Sequence, residues 1–168
     1  MRAEKKASVQ QDLRDRIEDH SALVGVVGLG YVGLPLAIEL GKVGFRVTGI
    51  DTSPAKVEIV EAGKSDVLGI SEFEVAGLKA VGKLGATQDY TVAQTLDVVV
   101  VCVPTPLNKT RDPDVSNILD AFQELRNVLH PGQLIILEST TYPGTTQEVV
   151  QPLLEETGLK AGVDFYLA

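Results

Sequence analysis

Residues 24–37 carry the stretch that decides the fold, Val-Gly-Val-Val-Gly-Leu-Gly-Tyr-Val-Gly-Leu-Pro-Leu-Ala. It opens with a valine-rich run typical of a buried parallel strand and closes with an apolar segment of helical length. Between them, Gly28 permits a tight turn, Gly30 lets a pyrophosphate approach the backbone, and Gly33 lets the helix pack closely on the strand. The N-terminus of that helix then offers N–H groups and a partial positive charge to phosphates. The stretch therefore predicts a dinucleotide site.

An acidic residue follows the next predicted strand at the spacing that dinucleotide-binding folds use. Residues 46–50 (Arg-Val-Thr-Gly-Ile) are typical of a strand, and Asp51 follows directly, 18 residues after Gly33. An acid about 20 residues beyond the glycine motif binds the adenosine ribose hydroxyls in such folds. Because a carboxylate repels a 2′-phosphate, Asp51 predicts NAD rather than NADP. Lys56 is a second candidate for the adenosine side. An ordinary glycine turn, an N-cap aspartate and a helix-surface lysine are the alternatives.

Strands and helices alternate along the rest of the chain. This spacing predicts an α/β fold, a Rossmann doubly wound parallel sheet of strand order 3-2-1-4-5-6 with helices on both faces. The predicted strands cover residues 22–27, 45–50, 84–87, 97–103, 133–137 and 165–168. Residues 22–168 are thus predicted to form one NAD-binding domain.

Two further helices are predicted at the ends of this pattern. Apolar residues recur every four positions from Val9 to Ile17, which indicates a short amphipathic helix within residues 1–21. The pattern Thr145-x-x-Glu148 predicts a capping box that opens a helix, and Pro152 predicts a kink in that helix.

Composition excludes several classes of protein. The 168 residues carry a net charge of −8, which argues against nucleic acid or an anionic membrane as the main partner. The first 22 residues are polar and charged, with no signal-peptide pattern. The single cysteine, Cys102, rules out an intrachain disulfide. These features predict a cytoplasmic location.

Two predicted loops follow the fourth and fifth strands, where the crevice of this fold lies. They read Val103-Pro-Thr-Pro106 and Glu138-Ser-Thr-Thr-Tyr-Pro-Gly144, and both are dense in hydroxyls and prolines. Such residues are also ordinary loop composition, so a role in binding and a role in turning the chain both remain open. Thr140 can donate and accept a hydrogen bond at once, as positioning of water requires, or it can bond its own backbone in a turn.

Other catalytic patterns are not found in the sequence. Cys102 lies in an apolar strand and is predicted to be buried and inert. No spacing typical of metal ligands is present, so no metal site is predicted. No tyrosine has a lysine four positions later, which disfavours the short-chain dehydrogenases.

Four motifs in order resemble the UDP-glucose/GDP-mannose dehydrogenase family over residues 22–168. They are Gly28-Leu-Gly-Tyr-Val-Gly-Leu-Pro-Leu-Ala37, Gly49-Ile-Asp51, Val101-Cys-Val-Pro-Thr-Pro106 and Glu138-Ser-Thr-Thr-Tyr-Pro-Gly-Thr145. Within the family, two stretches look most like the UDP-N-acetylglucosamine 6-dehydrogenase branch: Pro104-Thr-Pro-Leu-Asn-Lys109 with Asp112-Pro-Asp114, and Glu138-Ser-Thr-Thr-Tyr-Pro-Gly144.

The resemblance implies oxidation of the C6 alcohol of a nucleotide sugar to the carboxylate with two NAD⁺, through a thiohemiacetal and a thioester on a cysteine. It implies that Thr140 lies beside the reacting carbon. It also implies that NAD is contacted by Gly28, Leu29, Gly30, Tyr31, Val32, Gly33, Asp51, Lys56, Val103, Pro104, Thr105, Ser139 and Thr140.

The sequence departs from the family in one respect. The nucleophilic cysteine, the catalytic lysine and most contacts to the nucleotide sugar lie, in the family, beyond the segment that this chain resembles. We therefore expect the cofactor-binding part of such an enzyme, whose parent is a homo-oligomer, and no turnover by these residues alone. The alternatives are a stand-alone dinucleotide-binding module with a regulatory or scaffolding role, and the UDP-glucose or GDP-mannose branch.

Overall fold

Six parallel strands form one sheet in the computed structural model of the protein, which describes residues 2–106 and 113–168, with side chains from residue 10 onward. Their order is β3-β2-β1-β4-β5-β6, so the predicted Rossmann topology is confirmed. The strands are β1 (Leu23–Val27), β2 (Arg46–Ile50), β3 (Leu84–Thr87), β4 (Val98–Val101), β5 (Leu134–Leu137) and β6 (Tyr166–Leu167).

The central strands are buried on both faces, which explains their continuous apolar sequence. Along β4, Val98 and Val100 pack into one hydrophobic core, and Val99 and Val101 pack into the other. Because successive side chains of a strand point to opposite faces, a run of four valines serves both cores at once.

Helices cover both faces of the sheet. The first core receives side chains from α1 (Arg2–Glu18), α2 (Gly33–Lys42), α3 (Pro54–Glu61) and α4 (Glu72–Ala80). The second receives them from α5 (Ser116–Arg126), from a short α6 (Gln151–Glu155) and from a 3₁₀ turn over Tyr90–Thr95. None of the helices in the described part of the chain combines the length and apolar character that crossing a bilayer requires.

The predicted N-terminal helix packs against the first core. Leu13 is buried and Ile17 is partly buried there, whereas the side chain of Val9 lies outside the described residues. Arg16 Nη1 lies 2.6 Å from Asp97 Oδ1, and Asp97 Oδ2 accepts a hydrogen bond of 2.8 Å from the Leu23 N–H. A buried carboxylate at the start of β4 therefore joins α1 to β1.

The predicted capping box at Thr145 is wrong. The residue before this segment is Gly144, with φ 93°, and the segment Thr145–Val150 is a π-helical turn. Thr145 Oγ1 donates to the Tyr142 carbonyl at 3.0 Å, so its hydroxyl serves the preceding loop. Pro152 lies in the first turn of α6, directly after this segment, where its missing N–H removes no obligatory helical bond.

Candidate dinucleotide-binding site

The three glycines of residues 28–33 are required for three different steric reasons. Gly28 has φ +92°, and a Cβ there would lie 2.6 Å from the Cys102 carbonyl oxygen. A Cβ on Gly33 would lie 1.8 Å from the Gly28 carbonyl oxygen. A Cβ on Gly30, in contrast, would meet no heavy atom of the described residues within 4 Å. The first and third glycines are thus needed by the fold, and the open space beside the second lets a ligand approach the backbone.

The carboxylate of Asp51 connects the end of β2 to the glycine-rich loop. Its Oδ2 accepts a hydrogen bond of 2.7 Å from the Leu29 N–H, and its Oδ1 accepts one of 2.9 Å from the Ser53 N–H. Ser53 is the N-cap of α3, with its Oγ near the Lys56 N–H at 3.5 Å. Asp51 therefore holds the loop and also supports the start of α3. Each carboxylate oxygen keeps a further lone pair for a ligand.

Next to Asp51 is a cavity of about 480 Å³, a volume typical of sites for small molecules. It extends from the glycine-rich loop to the exposed side of α5 and includes Tyr90 from the 3₁₀ turn. The N-cap of α2, Val32, makes no side-chain capping bond. The Leu34 N–H bonds the Gly30 carbonyl at 3.1 Å and Pro35 has no N–H, so the Gly33 N–H is the first-turn group left for a ligand among the described residues. Free N–H groups at a helix N-terminus are suited to bind phosphate.

The charges around this cavity are mainly negative. Three carboxylates line it among the described residues, those of Asp51, Asp120 and Glu124, together with the ammonium group of Lys56. The Lys56 ammonium is itself 3.1 Å from Asp66 Oδ2. This environment disfavours an additional phosphate group.

A smaller cavity of about 70 Å³ lies between the loops that follow β4 and β5. Ser139 Oγ donates to the Val103 carbonyl at 2.8 Å, and Asn117 Nδ2 donates to the Pro104 carbonyl at 2.8 Å. These bonds join the two loops to each other and to α5. Thr140 lines the cavity and is exposed, and its hydroxyl has no hydrogen-bond partner among the described residues.

The predicted cofactor residues are distributed over both cavities. The 480 Å³ cavity is lined by Gly28, Gly30, Asp51, Lys56, Val103 and Pro104. The 70 Å³ cavity is lined by Gly30, Tyr31, Val32, Val103, Pro104, Thr105, Ser139 and Thr140. Two predicted residues line neither cavity. Leu29 is fully buried and reaches the site only through its N–H bond to Asp51, and Gly33 is buried beneath the loop.

Several residues of the 480 Å³ cavity were not predicted from the sequence. Asn117, Asp120 and Glu124 lie on one side of α5, and their spacing of three and four residues is the signal that could have found them. Tyr90 lies in the 3₁₀ turn after β3. Burial raises the pKa of the Tyr90 phenol to about 12, with further contributions from the carboxylates of Glu124, Asp51 and Asp120.

Cys102 is buried, as the sequence predicts. Its side chain is 7% exposed, and burial, together with the nearby charge of Glu138, raises the pKa of its thiol to about 11. A thiol in this state is a poor nucleophile at neutral pH. Within residues 2–106 and 113–168, no group of three or more His, Cys, Asp or Glu side chains is placed to hold a metal ion.

A larger cavity, of about 640 Å³, lies at the β6 edge of the sheet. It is lined by Gly144, Thr146, Gln147, Gln151, Ala161, Gly162, Tyr166, Leu167 and Ala168, none of which is charged. Its lining includes neither the Gly28–Gly33 loop nor an acidic side chain. Size alone therefore does not identify the dinucleotide site in this fold.

Comparison with known proteins gives one family. Residues 22–168 match the UDP-glucose/GDP-mannose dehydrogenase family, NAD binding domain. The chain is 39% identical over 144 residues to UDP-N-acetyl-D-glucosamine 6-dehydrogenase of Pseudomonas aeruginosa, covering 85% of this chain and 33% of that protein. It is 40% identical over 149 residues to UDP-N-acetyl-D-mannosamine dehydrogenase of Pyrococcus horikoshii, covering 86% of this chain and 35% of that protein.

A solved structure gives the same result. The GDP-mannose dehydrogenase of Pseudomonas aeruginosa, in a ternary complex, superimposes with a TM-score of 0.82 and 34% identity, covering 86% of this chain and 34% of that one. The chain thus spans about one third of the length of the relatives that it matches.

Proposed function

Because this chain belongs to the UDP-glucose/GDP-mannose dehydrogenase family and carries its NAD-binding domain at residues 22–168, we propose that it serves an enzyme that oxidises the C6 alcohol of a nucleotide sugar to a carboxylate. The family match over residues 22–168 is the observation that carries the proposed reaction. The 2.7 Å bond from the Leu29 N–H to Asp51, at the edge of a cavity, supports the binding of NAD there.

The residues of the site fit NAD. The adenosine half is assigned to the 480 Å³ cavity, where the remaining lone pairs of Asp51 accept hydrogen bonds from the ribose hydroxyls. The pyrophosphate is assigned to the space beside Gly30, near the uncapped N-terminus of α2. The nicotinamide end is assigned to the smaller cavity between the loops after β4 and β5. When bound, NAD⁺ supplies a hydride acceptor for the oxidation.

Thr140 is the residue that we place beside the reacting carbon. It follows β5 at the carboxyl edge of the sheet, and its exposed hydroxyl can donate and accept a hydrogen bond at once. The neighbouring hydroxyl of Ser139 already bonds the Val103 carbonyl. This difference supports a positioning role toward water or substrate for Thr140 and a loop-joining role for Ser139.

The proposed substrate is a UDP-sugar, with UDP-N-acetylglucosamine preferred over UDP-glucose and GDP-mannose. The name of one Pseudomonas aeruginosa relative, UDP-N-acetyl-D-glucosamine 6-dehydrogenase, supports this preference, and the loop motif at residues 138–144 does so as well. We further propose that the parent enzyme is cytoplasmic and a homo-oligomer.

The 168 residues alone are expected to bind NAD without oxidising a sugar. Cys102 is buried with a raised pKa, so the chain offers no cysteine nucleophile at the site. Calorimetry with NAD tests binding, and NADH absorbance with UDP-N-acetylglucosamine, UDP-glucose and GDP-mannose tests turnover. Absence of NAD binding would contradict the assignment of the site, and NADH formation that depends on the protein would contradict the expected inactivity.

A domain exchange tests the activity of the parent enzyme. Residues 22–168 replace the matching domain of the UDP-N-acetyl-D-glucosamine 6-dehydrogenase of Pseudomonas aeruginosa. NADH formation is then measured with the same three nucleotide sugars. We expect oxidation of UDP-N-acetylglucosamine by the exchanged enzyme and a loss of it when the same enzyme carries Asp51→Ala. A folded chimera that binds NAD but oxidises none of the three sugars would refute the proposal.

A further inference from the structure

Helix α5 brings two carboxylates into the cavity that Asp51 lines. Asp120 and Glu124 are four residues apart, so they lie on the same side of the helix, and both side chains line the 480 Å³ cavity. Asp51 lies at the end of β2, more than sixty residues earlier in the chain. The cavity therefore has carboxylates from two separate elements.

The three carboxylates act on the same space. All three carboxylates line one cavity of about 480 Å³, so an anion bound there is exposed to the field of each. At physiological ionic strength salt screens exposed charges over about 8 Å, so this repulsion weakens as the salt concentration is raised. The high pKa of the Tyr90 phenol, which lines the same cavity, has the charges of Glu124, Asp51 and Asp120 among its causes after burial.

We propose that Asp120 and Glu124 are specificity-determining residues that, with Asp51, reject a dinucleotide carrying a phosphate on its adenosine ribose. The inference rests on the proposed binding of NAD in this cavity. A phosphate monoester carries a charge of about −1.5 to −2 at pH 7, so each carboxylate of the cavity repels it. The Lys56 ammonium, which also lines the cavity, lies 3.1 Å from Asp66 Oδ2, so that carboxylate offsets part of its attraction for a phosphate.

This arrangement has a consequence for cofactor exchange. In such folds the acid at the end of the second strand favours NAD, because it binds the ribose 2′-hydroxyl. Here two carboxylates of α5 remain after Asp51 is replaced, so Asp51→Asn alone leaves a preference for NAD. Removal of the charges of Asp120 and Glu124 then lowers the preference for NAD over NADP further, because repulsion of the phosphate falls although no new contact to it is made.

The test measures the dissociation constants of NAD and NADP by calorimetry on the whole chain. The variants are Asp51→Asn, Glu124→Gln, the pair of both, and a triple variant with Asp120→Asn. The measured quantity is the dissociation constant of NADP divided by that of NAD. We expect each α5 substitution in the Asp51→Asn background to lower this ratio by about three- to tenfold. We expect the decrease to be smaller in 0.5 M salt. The Asp51→Asn background keeps NADP affinity within the measurable range.

Two control variants separate the local effect from net charge and from folding. Glu72→Gln removes the same charge from an exposed position in the first turn of α4, which does not line the cavity, and should leave the ratio unchanged. Gln123→Glu adds a charge to the lining of the same cavity and should widen the ratio. Circular dichroism confirms that each variant is folded.

The possible failures are distinguishable. This inference would be overturned if the α5 variants left the ratio of the NADP and NAD dissociation constants unchanged, or if Glu72→Gln changed it equally. Neither result would affect the binding of NAD by the parent chain. Failure of the parent chain to bind NAD would instead refute the proposed function of the cavity.

Discussion

Replacement of Gly33 by alanine tests the steric reason for the glycine-rich loop. A Cβ at this position would lie 1.8 Å from the Gly28 carbonyl oxygen, where ordinary contact begins at 3.4 Å. The difference, 3.4 − 1.8 = 1.6 Å, is the distance that α2 or the loop must move. The obstacle is the backbone carbonyl group of Gly28, whose oxygen and carbon would lie at 1.8 and 3.0 Å from the new Cβ, and the Cys102 Cβ would lie at 3.2 Å. No side-chain rotation can therefore relieve the overlap.

The expected destabilisation is about 3 kcal/mol or more, the upper end of the range for overpacking a core. That corresponds to roughly a 150-fold change in the folding equilibrium and is a large part of the 5–15 kcal/mol typical of a domain. Urea denaturation followed by circular dichroism measures it. Binding of NAD by the folded fraction should also weaken, because the loop that approaches the pyrophosphate has moved.

Two matched glycine substitutions serve as controls. Gly30→Ala meets no heavy atom of the described residues within 4 Å, so its stability should stay near that of the parent chain. Its new methyl group enters the space assigned to the pyrophosphate, and loss of a charge-assisted hydrogen bond there would weaken NAD binding about 10- to 150-fold. Gly77→Ala, within α4 and away from the cavities, should stabilise the chain by about 0.8–1 kcal/mol. A Gly33→Ala variant within 0.5 kcal/mol of the parent chain would refute the steric reasoning.

Three further predictions concern single side chains of the site. Asp51→Ala should weaken NAD binding about 10- to 150-fold in calorimetry. It should also lower the free energy of unfolding, because the Leu29 and Ser53 N–H groups lose their acceptor. Equal NAD affinity in the variant and the parent chain would show that the acid only supports the fold. Cys102, with a pKa of about 11, has roughly 90-fold less thiolate at pH 8 than an ordinary thiol of pKa 9. A disulfide reagent should therefore modify it slowly in the folded chain and fast in denaturant. Fast reaction of the folded chain would contradict its burial. In the exchanged enzyme described above, Thr140→Ala should lower turnover with a nearly unchanged melting temperature, whereas a destabilised variant with normal turnover would make Thr140 a turn residue.

The sequence by itself determined the class of fold, the strand order and the cofactor. These features depend on local requirements that are written along a short stretch of chain. Buried parallel strands need continuous apolar runs, as at Val98–Val101, and a tight turn with positive φ needs a residue such as Gly28. The acid at residue 51 could be found by spacing alone, because the length of a β-α-β unit is nearly constant. The sheet confirms the predicted strand order without exception.

Only the tertiary structure decided which side chains meet. The 3₁₀ turn and α5 bring Tyr90 and Glu124 to the cavity of Asp51. The helical spacing on α5 predicts which of its residues share a side, but not that this side faces Asp51. The pairing of Arg16 with Asp97 joins residues 81 positions apart. At Thr145 the local pattern indicated a capping box, but the hydroxyl bonds the Tyr142 carbonyl and the turn is π-helical. A side chain that can satisfy either its own helix or a neighbouring loop takes the partner that packing places within reach, and packing is a property of the whole fold.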